Sequence, residues 1–136
     1  MMDTLSNVIL PVTTEHDVVL VRQCVRESAS KLGMGSLDQT KLMTASSELA
    51  RNILLYAGKG EVTIGQVAEG VKKGIKVIFT DAGPGIPDIH QAMQDGYSTG
   101  KSLGVGLPGA KRLVNFFDIH SNQEHGTTIT IIRWRK

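Results

Sequence analysis

The sequence predicts an α/β domain. Three stretches carry apolar residues at helical spacing, and five short β-branched runs are interleaved with them. The 136 residues, 40% hydrophobic and 21% charged, can bury one core without staples, so a single domain spanning 1–136 is expected.

"NVILPV" (7–12) reads as an edge strand, because Pro11 cannot donate to a ladder. From Glu15 to about Leu32, Val18, Val21 and Cys24 or Val25 mark a helix closed by Gly33 and Gly35. A second helix should run from Asp38, as N-cap, to Ala57, and stop at Gly58. "EVTIGQVAE" (61–69) and "GIKVIFTD" (74–81) are strands joined by a polar turn. A third helix starts near Val105 or Gly106 and carries Leu107, Ala110, Leu113, Val114 and Phe117. "FDIHSNQEHGTTITIIRW" ends the chain as two strands around a Gly126 turn.

Composition excludes several function classes. Fifteen Lys+Arg against thirteen Asp+Glu give a formal charge of +2, too weak to argue for nucleic acid or an anionic membrane. The single cysteine, Cys24, excludes a disulfide scaffold or a cysteine-rich metal site, and the four histidines lack ligand spacing. No apolar stretch approaches the ~20 residues of a membrane span, and no signal-peptide core is present. A cytoplasmic protein is expected.

Chemistry concentrates in three places. With Glu48 set at zero on a helical wheel, Leu42, Ala45, Leu49, Ile53 and Ala57 fall between about 60° and 180°. Asn52 lies at about 40°, so Glu48 and Asn52 are stacked one turn apart on the rim of the buried stripe. Such a carboxylate and amide either line a cleft or form a solvated rim, and Arg51 can pair with Glu48 at i+3. "TDAGPGIPDIH" (80–90) ends a strand on Asp81 and follows it with Gly83 and Gly85. "STGKSLGVGLPGAKRL" (98–113) leads glycines into a helix start, where N–H groups can meet phosphate, although a mobile surface loop explains the glycines equally. "GYSTGKS" is not a P-loop, because Asp95 stands where the motif needs glycine.

The ordered set E-x-x-x-N (Glu48, Asn52), D-x-G-x-G (Asp81, Gly83, Gly85), G-x-G (Gly104, Gly106) and G-T (Gly126, Thr127) resembles the GHKL, or Bergerat, ATP-binding fold. The chain's length, with "SELARNILLYAGKGEV", "DAGPGIPD" and "GLPGAKRL", is similar to the stand-alone bacterial serine-protein kinases of the stressosome switch type, relatives of the anti-sigma-factor kinases. That resemblance, not the periodicity, implies the topology: an α+β two-layer sandwich, its sheet mixed and mostly antiparallel, with helices on one face.

It also implies roles. Glu48 would be the general base, Asn52 the Mg²⁺ ligand, Asp81 the acceptor for the adenine amine, and Thr127 a support for the adenine end. Gly83 and Gly85 would let the backbone pass close to the nucleotide. Gly104, Val105, Gly106 and Leu107 would belong to an ATP lid and contact phosphate, with Ser98 and Thr99 as further nucleotide contacts. Arg51 and Lys101 are candidates without an assigned role. The implied function is ATP- and Mg²⁺-dependent phosphorylation of a serine on a STAS-domain stressosome protein. Once released, the kinase would activate a PP2C-type phosphatase or similar effector. The alternatives are an anti-sigma factor that binds a sigma factor directly, or a nucleotide-switched binding module without catalysis. A pure binder has no need of Glu48.

Overall fold

The computed structural model describes residues 3–85, 93, 106–122 and 124–136, with side chains from residue 7 onward. Five strands, β1 (Asp3–Val12), β2 (Gly60–Glu69), β3 (Lys72–Asp81), β4 (Phe116–Asn122) and β5 (Gly126–Trp134), form one sheet in the order β1-β2-β3-β5-β4. All four pairings are antiparallel, so the antiparallel part of the expected sheet accounts for every described strand. β1 is an edge strand, as Pro11 requires.

Two long helices cover one side of the sheet, α1 (Glu15–Leu32) and α2 (Ser36–Tyr56); a short α3 (Gly106–Arg112) precedes β4. α1 begins in a capping box: the Thr14 hydroxyl accepts from the Asp17 N–H, and the Asp17 carboxylate accepts from the Thr14 N–H. It ends at Gly33, whose φ of 85° is the left-handed conformation that a helix C-terminus favours. Along α1, Val18, Val21, Val25, Ala29 and Leu32 point inward. They meet Leu42, Ala45, Leu49 and Ile53 of α2, and the strand residues Val62, Ile64, Val77, Phe79, Ile129 and Ile131. Trp134 packs at the sheet end as expected, beneath Lys72, whose Nζ lies 5.5 Å from the ring centroid.

Two expectations are corrected. Asp38 is not the N-cap of α2, because the helix starts two residues earlier and Gly35 caps it without a side-chain bond. The Asp38 carboxylate instead accepts from Arg133 Nε at 3.0 Å and from Arg133 Nη2, while Arg133 Nη1 donates to the Leu113 carbonyl at 2.7 Å. Phe117 belongs to β4, opposite Ile131, rather than to the third helix. The Asn115 N–H already donates to the Ile132 carbonyl, so sheet pairing takes over directly after α3.

Among the described residues, no helix is long and apolar enough to cross a membrane.

Candidate functional site

Antiparallel pairing sets Asp81, the last residue of β3, directly opposite Thr127 near the start of β5, and Thr127 opposite Ser121 of β4. Alternation along the strands turns Asp81 and Thr127 to the helix-covered side, the side of Phe79 and Ile129. The Ser121 and Thr127 hydroxyls are hydrogen-bonded at 2.7 Å, which fixes the Thr127 rotamer. Gly126 is required beside them. Its φ is 83°, and a Cβ there would strike the Asp81–Ala82 backbone.

α2 passes over this strand end. Asn52, Ile53 and Tyr56 from α2, Phe79 and Asp81 from β3, Thr127 and Ile129 from β5, and Leu107 from α3 line one narrow cleft together with Leu49. Four of the sequence-selected residues, Asn52, Asp81, Leu107 and Thr127, are thereby brought together from four separate elements. The lining is mostly apolar, with polar groups set at the edges, as in a pocket for a flat apolar group that carries a few hydrogen-bonding atoms.

Glu48 lies one turn before Asn52 on α2 and is 8% exposed, as is Asn52. Both are more enclosed than the rim position read from the wheel. Ser46, Ser47 and Ala50 are buried as well, because α2 is covered on more than one side, by α1, α3 and the sheet. Glu48 Oε1 accepts from Arg51 Nη1 at 3.2 Å, the i+3 pair expected from the sequence. Glu48 Oε2 is buried with no hydrogen-bond partner among the described residues. A carboxylate oxygen withdrawn from water costs free energy unless a donor or cation meets it, so this atom is open to a partner beyond the described residues.

Gly83 and Gly85 answer to protein neighbours. A Cβ on Gly83 would come within 2.6 Å of the Ala57 Cβ at the end of α2, and one on Gly85, at φ 79°, would strike the Asn122 backbone. Neither lines the cleft; Gly83 lines an adjoining open groove with Ala57, Lys59, Thr80 and Asp81. Asp81 faces both spaces, and its Oδ1 accepts from the Gly83 N–H at 3.0 Å, so the glycine turn orients this carboxylate. Gly106, at φ 69°, opens α3. Ser98, Thr99, Lys101, Gly104 and Val105 lie outside the described residues.

Tyr56 and Ser121 had no assigned function in the sequence. Tyr56 belongs to "ARNILLYA" and lies one turn beyond Asn52; only the cross-strand register identifies Ser121. Among the described residues, no three His, Cys, Asp or Glu side chains group as metal ligands. The donors at the cleft, one amide and one carboxylate, suit an ion that is held mainly by waters and phosphate oxygens.

Comparison with known proteins agrees with this geometry. Residues 37–136 match the family model of histidine kinase-, DNA gyrase B-, and HSP90-like ATPases. The serine/threonine-protein kinase RsbT of Bacillus subtilis (strain 168) is 54% identical over 123 residues, covering 90% of this chain and 92% of that protein. The fold is similar to the crystal structure of the RsbU and RsbW domains of Rv1364c from Mycobacterium tuberculosis, with a TM-score of 0.63 and 21% identity, over 96% of this chain and 32% of that one. It is also similar to the mycobacterial sensor histidine kinase MprB, with a TM-score of 0.56 and 20% identity, over 95% and 99% of the two chains. The chain therefore belongs to the histidine kinase-, DNA gyrase B- and HSP90-like ATPase family and, within it, to the serine/threonine-protein kinases of the RsbT type.

Proposed function

We propose that the chain transfers the γ-phosphoryl group of ATP to a serine of a STAS-domain stressosome protein and, once released from that protein, activates a PP2C-type phosphatase or similar effector. The observation that carries this reading is the convergence of Asn52, Asp81, Leu107 and Thr127 on one cleft, beside a buried carboxylate with an unused oxygen.

In this reading the adenine enters between α2 and the strand ends, against Ile53, Phe79 and Ile129. Asp81 accepts a hydrogen bond from its exocyclic amine, which favours adenine over guanine, and Thr127 supports the same edge. The triphosphate extends toward Asn52. Its oxygens meet N–H groups of the lid, from Gly104 and Val105 to Gly106 and Leu107, with Ser98, Thr99 and Lys101 as further contacts. Asn52 offers a side-chain oxygen to Mg²⁺; the ion neutralises phosphate charge as the transfer proceeds.

Glu48 takes the proton. As the serine oxygen bonds to the γ-phosphorus, the bond to the bridging oxygen breaks and ADP leaves with the electron pair. The serine hydroxyl proton passes to Glu48 Oε2. Positioning and charge neutralisation supply most of the acceleration, so a modest base is enough.

Incubation with γ-labelled ATP, Mg²⁺ and a STAS-domain partner tests this. Label should appear on a partner serine. Label confined to histidine, or none at any ATP concentration, would overturn the assignment.

A further inference from the structure

The Arg51–Glu48 pair differs from an ordinary i,i+3 surface pair. One partner, the Glu48 side chain, is 10% exposed, while the Arg51 side chain is 37% exposed. Two exposed charges at this spacing contribute little to stability. Here the arginine meets a carboxylate withdrawn from water, and it occupies only one of the two oxygens. On its other side, Arg51 Nε lies 3.9 Å from Glu15 Oε2. Glu15 opens α1, and the Thr14–Asp17 capping box fixes where that helix begins. A guanidinium is a rigid planar fork, so it can bridge two carboxylates and hold its own orientation. A free Glu side chain, in contrast, turns its carboxylate over a broad range at the last torsion.

Resting on the kinase reading above, we propose that Arg51 is a positioning residue. Braced by Glu15, it grips Glu48 Oε1 and so keeps Oε2 presented to the incoming serine hydroxyl. Arg51 touches neither ATP nor the serine. Its contribution is the fixed direction of the accepting oxygen, since loss of near-attack geometry costs rate even where every reacting group is present.

The test uses the full chain with γ-labelled ATP, Mg²⁺ and a STAS-domain substrate, and compares Arg51→Met, Arg51→Lys, Glu15→Gln and Glu48→Gln. Transfer rate, ATP affinity and the unfolding midpoint are measured for each. Arg51→Met should lower kcat about tenfold, because the base remains but is no longer oriented. ATP affinity should stay at the wild-type value, and the midpoint should fall, because the buried Glu48 charge loses its partner; the rate is therefore measured well below the transition. Arg51→Lys, which restores the charge but not the planar fork, should recover the midpoint and only part of the rate. Glu15→Gln should have a smaller effect of the same sign, and none when added to Arg51→Met.

Wild-type kcat in Arg51→Met would overturn the inference. So would a loss of ATP affinity with kcat preserved, which would make Arg51 a nucleotide ligand. Glu48→Gln separates the two levels. If it transfers phosphate at the wild-type rate, the base assignment itself fails; if it is inactive while Arg51→Met is unimpaired, only the positioning role fails.

Discussion

α2 carries two buried acids, each against an arginine, and they are built differently. Asp38, in the first turn, meets an arginine from the far end of the chain, and that arginine spends its third N–H on the Leu113 carbonyl. The bonds close a circuit between α2, β5 and the end of α3. Glu48, nearly three turns further on, meets an arginine of its own helix and keeps one oxygen unmatched among the described residues. A buried ion pair satisfied on both sides is structural, because removing either member leaves an uncompensated charge. A half-satisfied carboxylate beside a cleft is a group waiting for a partner.

The largest expected effect is at the second acid. Glu48→Gln should lower phosphoryl transfer by about 10²–10⁴-fold, the contribution typical of a positioned general base. The fold should change in stability by less than about 1 kcal/mol, because an incompletely matched charge is being replaced by a neutral isostere. Kinetics and urea denaturation on the same sample check both halves. A large loss of stability would make Glu48 a second Asp38.

Next comes the first acid, with the opposite signature. Asp38→Ala or Arg133→Met should each cost about 3 kcal/mol of unfolding free energy, since each strands the other charge. The double variant Asp38→Leu with Arg133→Met should recover much of that loss. Transfer rate per folded molecule should persist well below the melting transition.

Asp81 combines the two roles, and Asp81→Asn divides them. The amide oxygen can still accept from the Gly83 N–H, so the turn should hold. The new NH₂ would face the adenine amine, donor against donor. ATP affinity should fall by roughly tenfold to a hundredfold, as expected for a lost bond to a charged acceptor. Calorimetric titration with ATP measures it, and unchanged affinity would remove Asp81 from the adenine site.

The same contrast explains what could be read in the sequence. Elements with a local signature were legible: α1 with its Thr14 box and Gly33 stop, the edge strand that Pro11 demands, and the hairpin at Gly126. So was the Glu48–Arg51 pair, because i and i+3 are neighbours on any helix. Asp38 was misread as an N-cap because its partner is 95 residues away, and the local preference for Asp at helix starts was the only signal available. Phe117 continued the apolar spacing of the third helix by coincidence, while the ladder to β5 decides its conformation. Gly83 and Gly85 were identified, but the close approaches that require them are to Ala57 and Asn122, which no sequence pattern pairs with them. The depth of Glu48 was missed for a similar reason. A single-helix wheel gives one buried stripe, and the burial here comes from elements arriving on further sides.

The smallest effect concerns pH, and it follows from Asp38 alone. The Arg133 guanidinium beside it holds the Asp38 carboxyl below the usual value of 3.8. The folded state thus binds a proton less readily than the unfolded state, and the pair's contribution to stability is complete above pH 3.8. It is lost as pH falls through the lowered folded value, where protonation dissolves the pair. Asp38→Asn has no proton to gain at this position. The stability gap between wild type and Asp38→Asn, measured by urea denaturation, should therefore be constant from pH 7 down to about 5 and close progressively below about 4. A gap near zero at every pH would mean that Arg133 is held by the Leu113 carbonyl and the packing around it. The structural acid would then be dispensable, and the contrast with Glu48 would rest on the arginine rather than on the pair.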